Sequence, residues 1–375
     1  MSKPIVSVVM PFYNSSEYLA EALNSVQNQT LVDIEIIAVN DGSTDNSLTI
    51  AEEHASKDKR IIVVDKPNGG YGDAMNRGIE TATGEYIGFV DTDDYIEYSM
   101  YEKLYSISSA HNLDFIRSDY RRFYDLADRQ RLFQYMPVSQ NEKYYNVVFN
   151  PQKDINTFSL SMQNWTGIYS KEFLRKNNIW FNESPGASFQ DNGFWFQTYM
   201  WSTKAFCLNK AFYNYRRDNP ASSVAQTDKV HVMLDEYAWI KTVLSTYPDM
   251  YRKLISIFHY KKTHNCFFAF TRLAPEYQME FLKRYRREFQ EAIDYGEIDR
   301  SLFEDYEWLR LQSIIRNPDA WLQEWRAGET KRLRDETRER NKLIVKQYDR
   351  FTLMDFLRQE GGLLHAIKGS LHALL

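Results

Sequence analysis

The sequence predicts an α/β fold, with a mostly parallel twisted sheet flanked by helices, followed by an all-helical C-terminal region. Three observations carry that expectation. Short, near-continuously apolar runs alternate with amphipathic stretches through the first third of the 375 residues, the pattern of strands covered on both faces and their crossover helices. Polar clusters stand directly after the apolar runs. From Thr227 onward Gly and Pro thin out and long helical patterns dominate, which sets the expected division at 1–226 and 227–375.

Residues 5–10 read as the first strand. Ser15 and Ser16 are expected to cap the helix that carries Leu19, Leu23 and Val26 at helical spacing. Residues 34–39 form the second strand and end in N-D-G-S-T-D, where Ser43 or Thr44 is expected to cap a helix with Leu48, Ala51 and Ala55 on its buried face. Residues 61–64 and 86–90 are the third and fourth strands, the latter running into D-T-D-D. Met100, Leu104 and Ile107 mark another helix, and residues 113–116 another short strand. Open sheets of this kind bind ligands at the carboxyl ends of their strands, where P-F-Y-N, D-G-S-T-D and D-T-D-D all fall. Residues 125–225 are less regular and rich in Tyr, Phe, Asn and Trp.

Composition narrows the function classes. A 43% hydrophobic content supports a substantial core, and a net charge of -5 gives no global attraction to nucleic acid or anionic membranes. Cys207 and Cys266 stand too far apart for a disulfide framework or a zinc spacing, which favours a reducing, cytoplasmic setting. The start lacks a signal-peptide pattern, and no run approaches the roughly 20 apolar residues of a membrane span. The seven His are scattered and read as structural or surface residues. Residues 331–350 mix acids and bases at helical spacing, as a solvated helix does. The short amphipathic stretch 363–375 either packs onto the protein or makes peripheral membrane contact. The helical region can bind acceptor, cover the site or form a homo-oligomer.

Several clusters carry chemistry. Along a strand end Asp91 and Asp93 should leave on one side and Asp94 on the other. Crowded carboxylates repel unless a cation or proton sits among them, so a divalent ion that also holds a diphosphate is one reading and an acidic helix cap the other. Asp41 can accept an N–H from a base such as uracil, or belong to a capping turn. Tyr13 can stack on a base or lie in the core. Asn68 to Gly78, N-G-G-Y-G-D-A-M-N-R-G, allows close backbone approach to a ligand, yet it is neither a P-loop nor a dinucleotide fingerprint. Asp191, flanked by aromatics in S-F-Q-D-N-G-F-W-F, suits a general base if its surroundings raise its pKa, or is an ordinary solvated residue.

Taken in order, V-S-V-V-M-P-F-Y-N, V-N-D-G-S-T-D, N-G-G-Y-G-D-A-M-N-R-G-I and G-E-Y-I-G-F-V-D-T-D-D resemble the serial motifs of the inverting family 2 glycosyltransferases, which include many bacterial polysaccharide and teichoic-acid enzymes. The resemblance covers roughly residues 4–220. It implies a GT-A fold, with Pro11 and Tyr13 lining a base pocket, Asp41 bonding the base, and the loop from Asn68, Gly69 and Gly70 to Asn76 flanking nucleotide and sugar. It implies a D-x-D-type site in which Asp93 holds Mn²⁺ or Mg²⁺ and Asp91 or Asp94 contacts ribose or a metal-bound water. Asp191 falls at the catalytic base, and Trp165 and Gln190 fall near the acceptor. Two departures stand out: Ala74, Met75 and Asn76 stand where many members carry A-R-N, so that a basic group near the phosphates is either missing or supplied by Arg77, and Gln190 replaces the Glu of E-D. Arg216 and Arg217 could serve the diphosphate or form structural ion pairs.

The activity so implied is transfer of a sugar from a UDP-sugar to a hydroxyl of a glycan, teichoic-acid or lipid-linked acceptor. Two alternatives stay open: a catalytically silent nucleotide- or glycan-binding subunit, and a sugar nucleotidyltransferase, whose glycine-rich loop after the first strand is replaced here by P-F-Y-N.

Overall fold

Near-continuous apolar runs become strands because both of their faces are covered. β1 (Val6–Phe12) is buried along its whole length. It is followed by α1 (Leu19–Gln27), the equally buried β2 (Ile34–Asp41), α2 (Ser47–Lys57), β3 (Ile61–Lys66), α3 (Tyr71–Thr81), β4 (Tyr86–Phe89), β5 (Tyr95–Ile96) and α4 (Met100–His111). Next come β6 (Phe115–Asp125), β7 (Arg131–Met136), β8 (Val148–Phe149), β9 (Gly167–Ser170), α5 (Lys171–Lys176), α6 (Gln190–Trp201) and β10 (Ala205–Arg216). Helices α7 (Val232–Ser245), α8 (Pro248–Phe270) and α9 (Pro275–Asp294) follow, then α10 (Asp305–Arg316) and α11 (Pro318–Gln347). The structure, a computed structural model, describes residues 3–126, 130–222 and 226–347. It falls into two compact units, Met1–Asp305 and Tyr306–Leu375.

In the first unit one mixed sheet runs in the order β3-β2-β1-β4-β9-β6-β10-β5, with β7 on β6 and β8 on β10. Strands β3, β2, β1 and β4 are parallel, as are β6 and β10, while β9 pairs antiparallel with both β4 and β6. The order reverses at β1, between β2 and β4. Such a switch point opens a crevice beyond the strand ends, and P-F-Y-N and D-G-S-T-D meet there. The GT-A-like α/β sheet with flanking helices and a helical C-terminal region is as expected. Helices α7 to α9 belong to the same compact unit as the sheet.

Three local expectations are corrected. Ser15 and Ser16 do not cap α1: Tyr18 stands at the N-cap with no side-chain bond, and the Ser15 carbonyl accepts the Tyr18 and Leu19 N–H groups. Ser43 and Thr44 do not cap α2, which begins three residues later, where Asp45 accepts the Ser47 N–H at 3.0 Å. Ser15 Oγ instead accepts the Thr92 hydroxyl, Ser43 Oγ accepts the Asn14 N–H, and the Thr44 hydroxyl donates to Asn14 Oδ1. The strand expected at 113–116 is β6, which continues to Asp125. Its charged residues hide it from an apolar pattern. Arg117 is nonetheless buried, because Thr166 Oγ1 and the Ser161 and Gln163 carbonyls accept its guanidinium N–H groups.

In the second unit, exposed Arg332 on α11 pairs with Glu329 and Glu336 at helical spacing. Residues 363–375, and the last three of the stretch 331–350, lie outside the described residues. No helix among the described residues is long and apolar enough to cross a membrane.

Candidate active site

The site begins where the first two strand ends are stitched together. Asn14 Oδ1 accepts the Thr44 N–H at 2.8 Å, and the Asn14 N–H donates to Ser43 Oγ at 3.0 Å. Asp45 likewise accepts the Ser16 N–H at 3.1 Å. This cross-linking fixes the mouth of a cavity of about 610 Å³ beyond β1, β2 and β4, whose walls include Pro11, Tyr13, Asp41, Asn68, Gly70, Asp91 and Asp93. Tyr13 is 51% exposed, so its ring is a free face and not core packing.

Asp41 sits at the floor. Its carboxylate accepts N–H groups from Gly69 at 2.8 Å and Gly70 at 2.9 Å, and pairs with Lys66 at 2.5 Å. Asn68 Nδ2 donates to the Asp41 carbonyl at 2.9 Å. The glycine-rich loop is thus wrapped on this carboxylate. A positive φ of 96° at Gly70 is what lets the chain turn there into α3. Asn76 is not in the cavity wall: its amide bonds the Phe181 backbone and Glu183, tying α3 to the segment before α6.

The D-T-D-D turn divides its carboxylates. Asp91 and Asp93 line the cavity. Asp94 is buried and accepts the Tyr213 hydroxyl at 2.8 Å and the Arg216 N–H at 2.7 Å. Burial and the neighbouring Asp93 charge raise Asp91 well above the usual carboxylate range, although Tyr71 donates to it at 3.0 Å. Among the described residues no group of three His, Cys, Asp or Glu is placed to hold a metal. The donor set still fits a hard cation of the magnesium type, which takes one or two carboxylates and completes its shell with phosphate and water. Burial is the larger cause of the raised Asp91 and the Asp93 charge adds to it, so a cation held between the two would relieve that repulsion.

Arg216 is a framework residue. Its guanidinium pairs with Glu21 at 2.8 Å and Asp125 at 2.5 Å, and its Nε donates to the Asp93 carbonyl at 2.9 Å. Arg217 bonds the Tyr215 hydroxyl at 3.2 Å.

Asp191 lies in the first turn of α6, just past Phe189, whose φ of 66° turns the chain into the helix. Burial pushes its carboxyl up to about 6, against the opposing effect of backbone N–H groups and Arg117. It is not in the cavity wall, but its charge acts on both Asp91 and Tyr71. Gln190 faces the turn before it, accepting the Ser188 N–H at 2.7 Å and donating to Ser184 Oγ at 3.0 Å. Trp165 is buried, its ring stacked on Tyr213 at 4.1 Å, so it supports the acidic turn from below.

Five contributors escaped the sequence reading. Lys66 bridges Asp41 and Asp73, both at 2.5 Å. Tyr71 stands inside the quoted glycine-rich motif, and Tyr213 inside Y-N-Y-R-R, where aromatic periodicity on a strand was the available signal. Asn219 Nδ2 donates to Asp93 Oδ2 at 2.8 Å from the loop after β10. Glu236 on α7 accepts the Gly193 N–H at 3.0 Å and Asn182 Nδ2 at 2.8 Å, and burial pushes it up to about 8.

Comparisons with known proteins bear on the family and the fold. The family model for glycosyl transferase family 2 matches residues 7–177. The glycosyltransferase EpsJ of Bacillus subtilis, itself uncharacterised, is 33% identical over 220 residues, which are 58% of this chain and 62% of EpsJ. Glycosyltransferase GlyG of Streptococcus pneumoniae is 34% identical over 221 residues, 57% of this chain and 71% of GlyG. The matched region thus spans less than two thirds of EpsJ. Among solved structures, residues 1–349 of S. aureus TarS in complex with UDP-GlcNAc align with a TM-score of 0.57 at 21% identity, covering 86% of this chain and 92% of that one. That likeness is one of fold.

Proposed function

The chain belongs to glycosyl transferase family 2, and on that premise we propose that it transfers a sugar, with inversion, from a UDP-sugar to an acceptor hydroxyl in cell-surface polysaccharide synthesis. The observation that carries this reading is the single cavity lined by Tyr13, Asp41, Asn68, Asp91 and Asp93, with the raised carboxyl of Asp191 acting on its acidic edge. An aromatic face, a base-reading carboxylate and a diphosphate-facing acidic pair are the parts a nucleotide-sugar requires. The UDP-GlcNAc named for the TarS complex makes that sugar nucleotide the first donor to try.

In this reading Tyr13 stacks on uracil. Asp41 has three of its roughly four acceptor sites taken by Gly69, Gly70 and Lys66, which leaves one for the N–H of the base. Asp93 and Asp91 would hold Mn²⁺ or Mg²⁺, which when bound supplies Lewis-acid stabilisation of the departing diphosphate. Asp191 takes the proton from the acceptor hydroxyl as that oxygen attacks the anomeric carbon from the face opposite the diphosphate. A carboxyl near 6 is ionised at neutral pH yet basic enough to accept that proton, a step typically worth about 10²–10⁴-fold.

Calorimetric titration of UDP with and without Mn²⁺, on wild type and Asp93→Asn, tests the reading. UDP binding that is strengthened by metal, and loses that strengthening in the variant, is the expected result. A screen of UDP-sugars for slow hydrolysis then identifies the donor. No UDP binding with any metal would sink the proposal.

A further inference from the structure

We infer that Lys229 is the side chain that takes the diphosphate of the nucleotide donor, an inference that rests on the donor reading above. A nucleoside diphosphate carries at least two negative charges into this cavity. The charged side chains in its walls are Glu17, Asp41, Asp91, Asp93 and Lys229, so among the described lining residues Lys229 is the only Lys or Arg. Bringing phosphate against carboxylates costs energy unless positive charge is supplied at short range, and a cation at Asp91 and Asp93 neutralises little more than those two groups.

Three of the other cations around the site are committed to carboxylates, and Arg217, held at the Tyr215 hydroxyl at 3.2 Å, lies outside the cavity wall. Lys66 is paired with Asp41 and Asp73. Arg216 is paired with Glu21, Asp125 and Asp218, and Arg131 with Glu21 and Asp125. Lys229 differs in kind. Its ammonium donates to the Ala187 carbonyl at 2.5 Å and to Ser188 Oγ, both neutral acceptors. An ammonium has three donors, so one is left. Burial without a carboxylate partner depresses its pKa, with only neighbouring Asp228 opposing. A half-buried cation in that condition gains from any anion that reaches it.

Its position suits the task. Gly186 and Ala187 share the cavity wall with Lys229, and the Tyr71 N–H donates to the Gly186 carbonyl at 2.9 Å. Lys229 therefore stands where the glycine-rich loop, the turn before Asp191 and the segment carrying Asn219 come together. Arg77, the basic group that the sequence offers for this role, lies outside the cavity wall and pairs with Glu80 at 3.1 Å.

The test compares UDP with uridine, which shares the base and ribose and lacks the charge. Titrations with saturating Mn²⁺ would be run on wild type, Lys229→Met and Lys229→Arg. UDP affinity should fall about tenfold or more in Lys229→Met, as expected for loss of a charged hydrogen bond, with uridine affinity unchanged and Lys229→Arg close to wild type. Unchanged UDP affinity in Lys229→Met overturns the inference. An equal loss of UDP and uridine also overturns it, since the residue would then be holding the turn at 187–188. Wild type that binds no UDP overturns the donor reading itself, and this inference falls with it.

Discussion

The Tyr213 hydroxyl donates to Asp94 Oδ2 at 2.8 Å and accepts the Asp91 N–H at 3.0 Å, so one phenol closes both ends of the acidic turn. This relationship sorts the three aspartates. Asp94 is spent on the frame, where desolvation and the charges of Asp93 and Asp91 raise it well above the ordinary range. Asp91 and Asp93 are left facing the cavity. Trp165 completes the support by stacking on the same Tyr213 ring.

Tyr213→Phe should therefore act on both stability and binding. It strips one donor from buried Asp94 and one acceptor from the Asp91 N–H, and a buried polar group left unmatched costs about 1–3 kcal/mol. Urea unfolding should show a loss of that size, and UDP titration should show weaker metal-dependent binding. Wild-type stability in the variant would mean that the phenol is dispensable to the turn.

Asp191→Asn should remove the base and spare the donor. Turnover of the hydrolysed UDP-sugar, measured with acceptor once one is found, should fall about 10²–10⁴-fold, with UDP affinity unchanged. Because burial holds the Asp191 carboxyl at about 6, wild-type kcat/KM should rise with pH up to about 6 and level off above it. An acid limb near the ordinary aspartate value would point to a different base.

Much of this site was legible because its parts sit in contiguous motifs. Asp41, Asn68, Asp91 and Asp93 each follow a strand or open a glycine-rich turn, and strand ends at a switch point converge by topology alone. What stayed hidden depends on distance along the chain. Glu236 lies in a plain helix 43 residues beyond the Gly193 N–H that it accepts. Asn219 is 126 residues from Asp93. The fate of Asp94 was hidden for the same reason, since Tyr213 and Arg216 arrive from β10. Asn76 was misleading because a motif names the residue and not its direction: its amide turns to Phe181 and Glu183. The length of β6 was masked by Arg117, Arg121 and Arg122, whose charges read as loop until their partners are known.

Gly70→Ala should loosen the contact between the donor loop and the turn before the base. The position has φ of +96°, and a Cβ there would come within 2.8 Å of the Ser184 carbonyl oxygen and 2.9 Å of Gly186 backbone atoms. These are backbone atoms of a turn, so the loop must shift, and the Gly70 N–H would leave Asp41. Gly186→Ala is the control: its φ is +78°, with nothing within 4 Å of the added carbon. It should lose only the conformational cost of about 1–2 kcal/mol. Gly70→Ala should lose more than Gly186→Ala in urea unfolding, and it should weaken UDP binding by more. Equal losses in the two variants would show that the close approach at Gly70 is immaterial.

Glu236→Gln should change how stability depends on pH. The wild-type carboxyl sits at about 8, raised by burial from an ordinary 4.5, with Asn182 and the Gly193 N–H pulling the other way and the Asp191 charge reinforcing the rise. A raised acid binds its proton more tightly in the folded state. Its contribution is complete below the unfolded value and is lost as pH rises through the folded one, at up to about 1.4 kcal/mol per pH unit across that window. Gln keeps an acceptor for the Gly193 N–H, and Asn182 can turn its amide to meet the new NH₂, so the fold is retained without the titration. Tm measured from about pH 5 to about pH 9 should fall more steeply in wild type than in Glu236→Gln. If the two curves run parallel, Glu236 is ionised throughout, and the anchor between α7 and the first turn of α6 is a charged one.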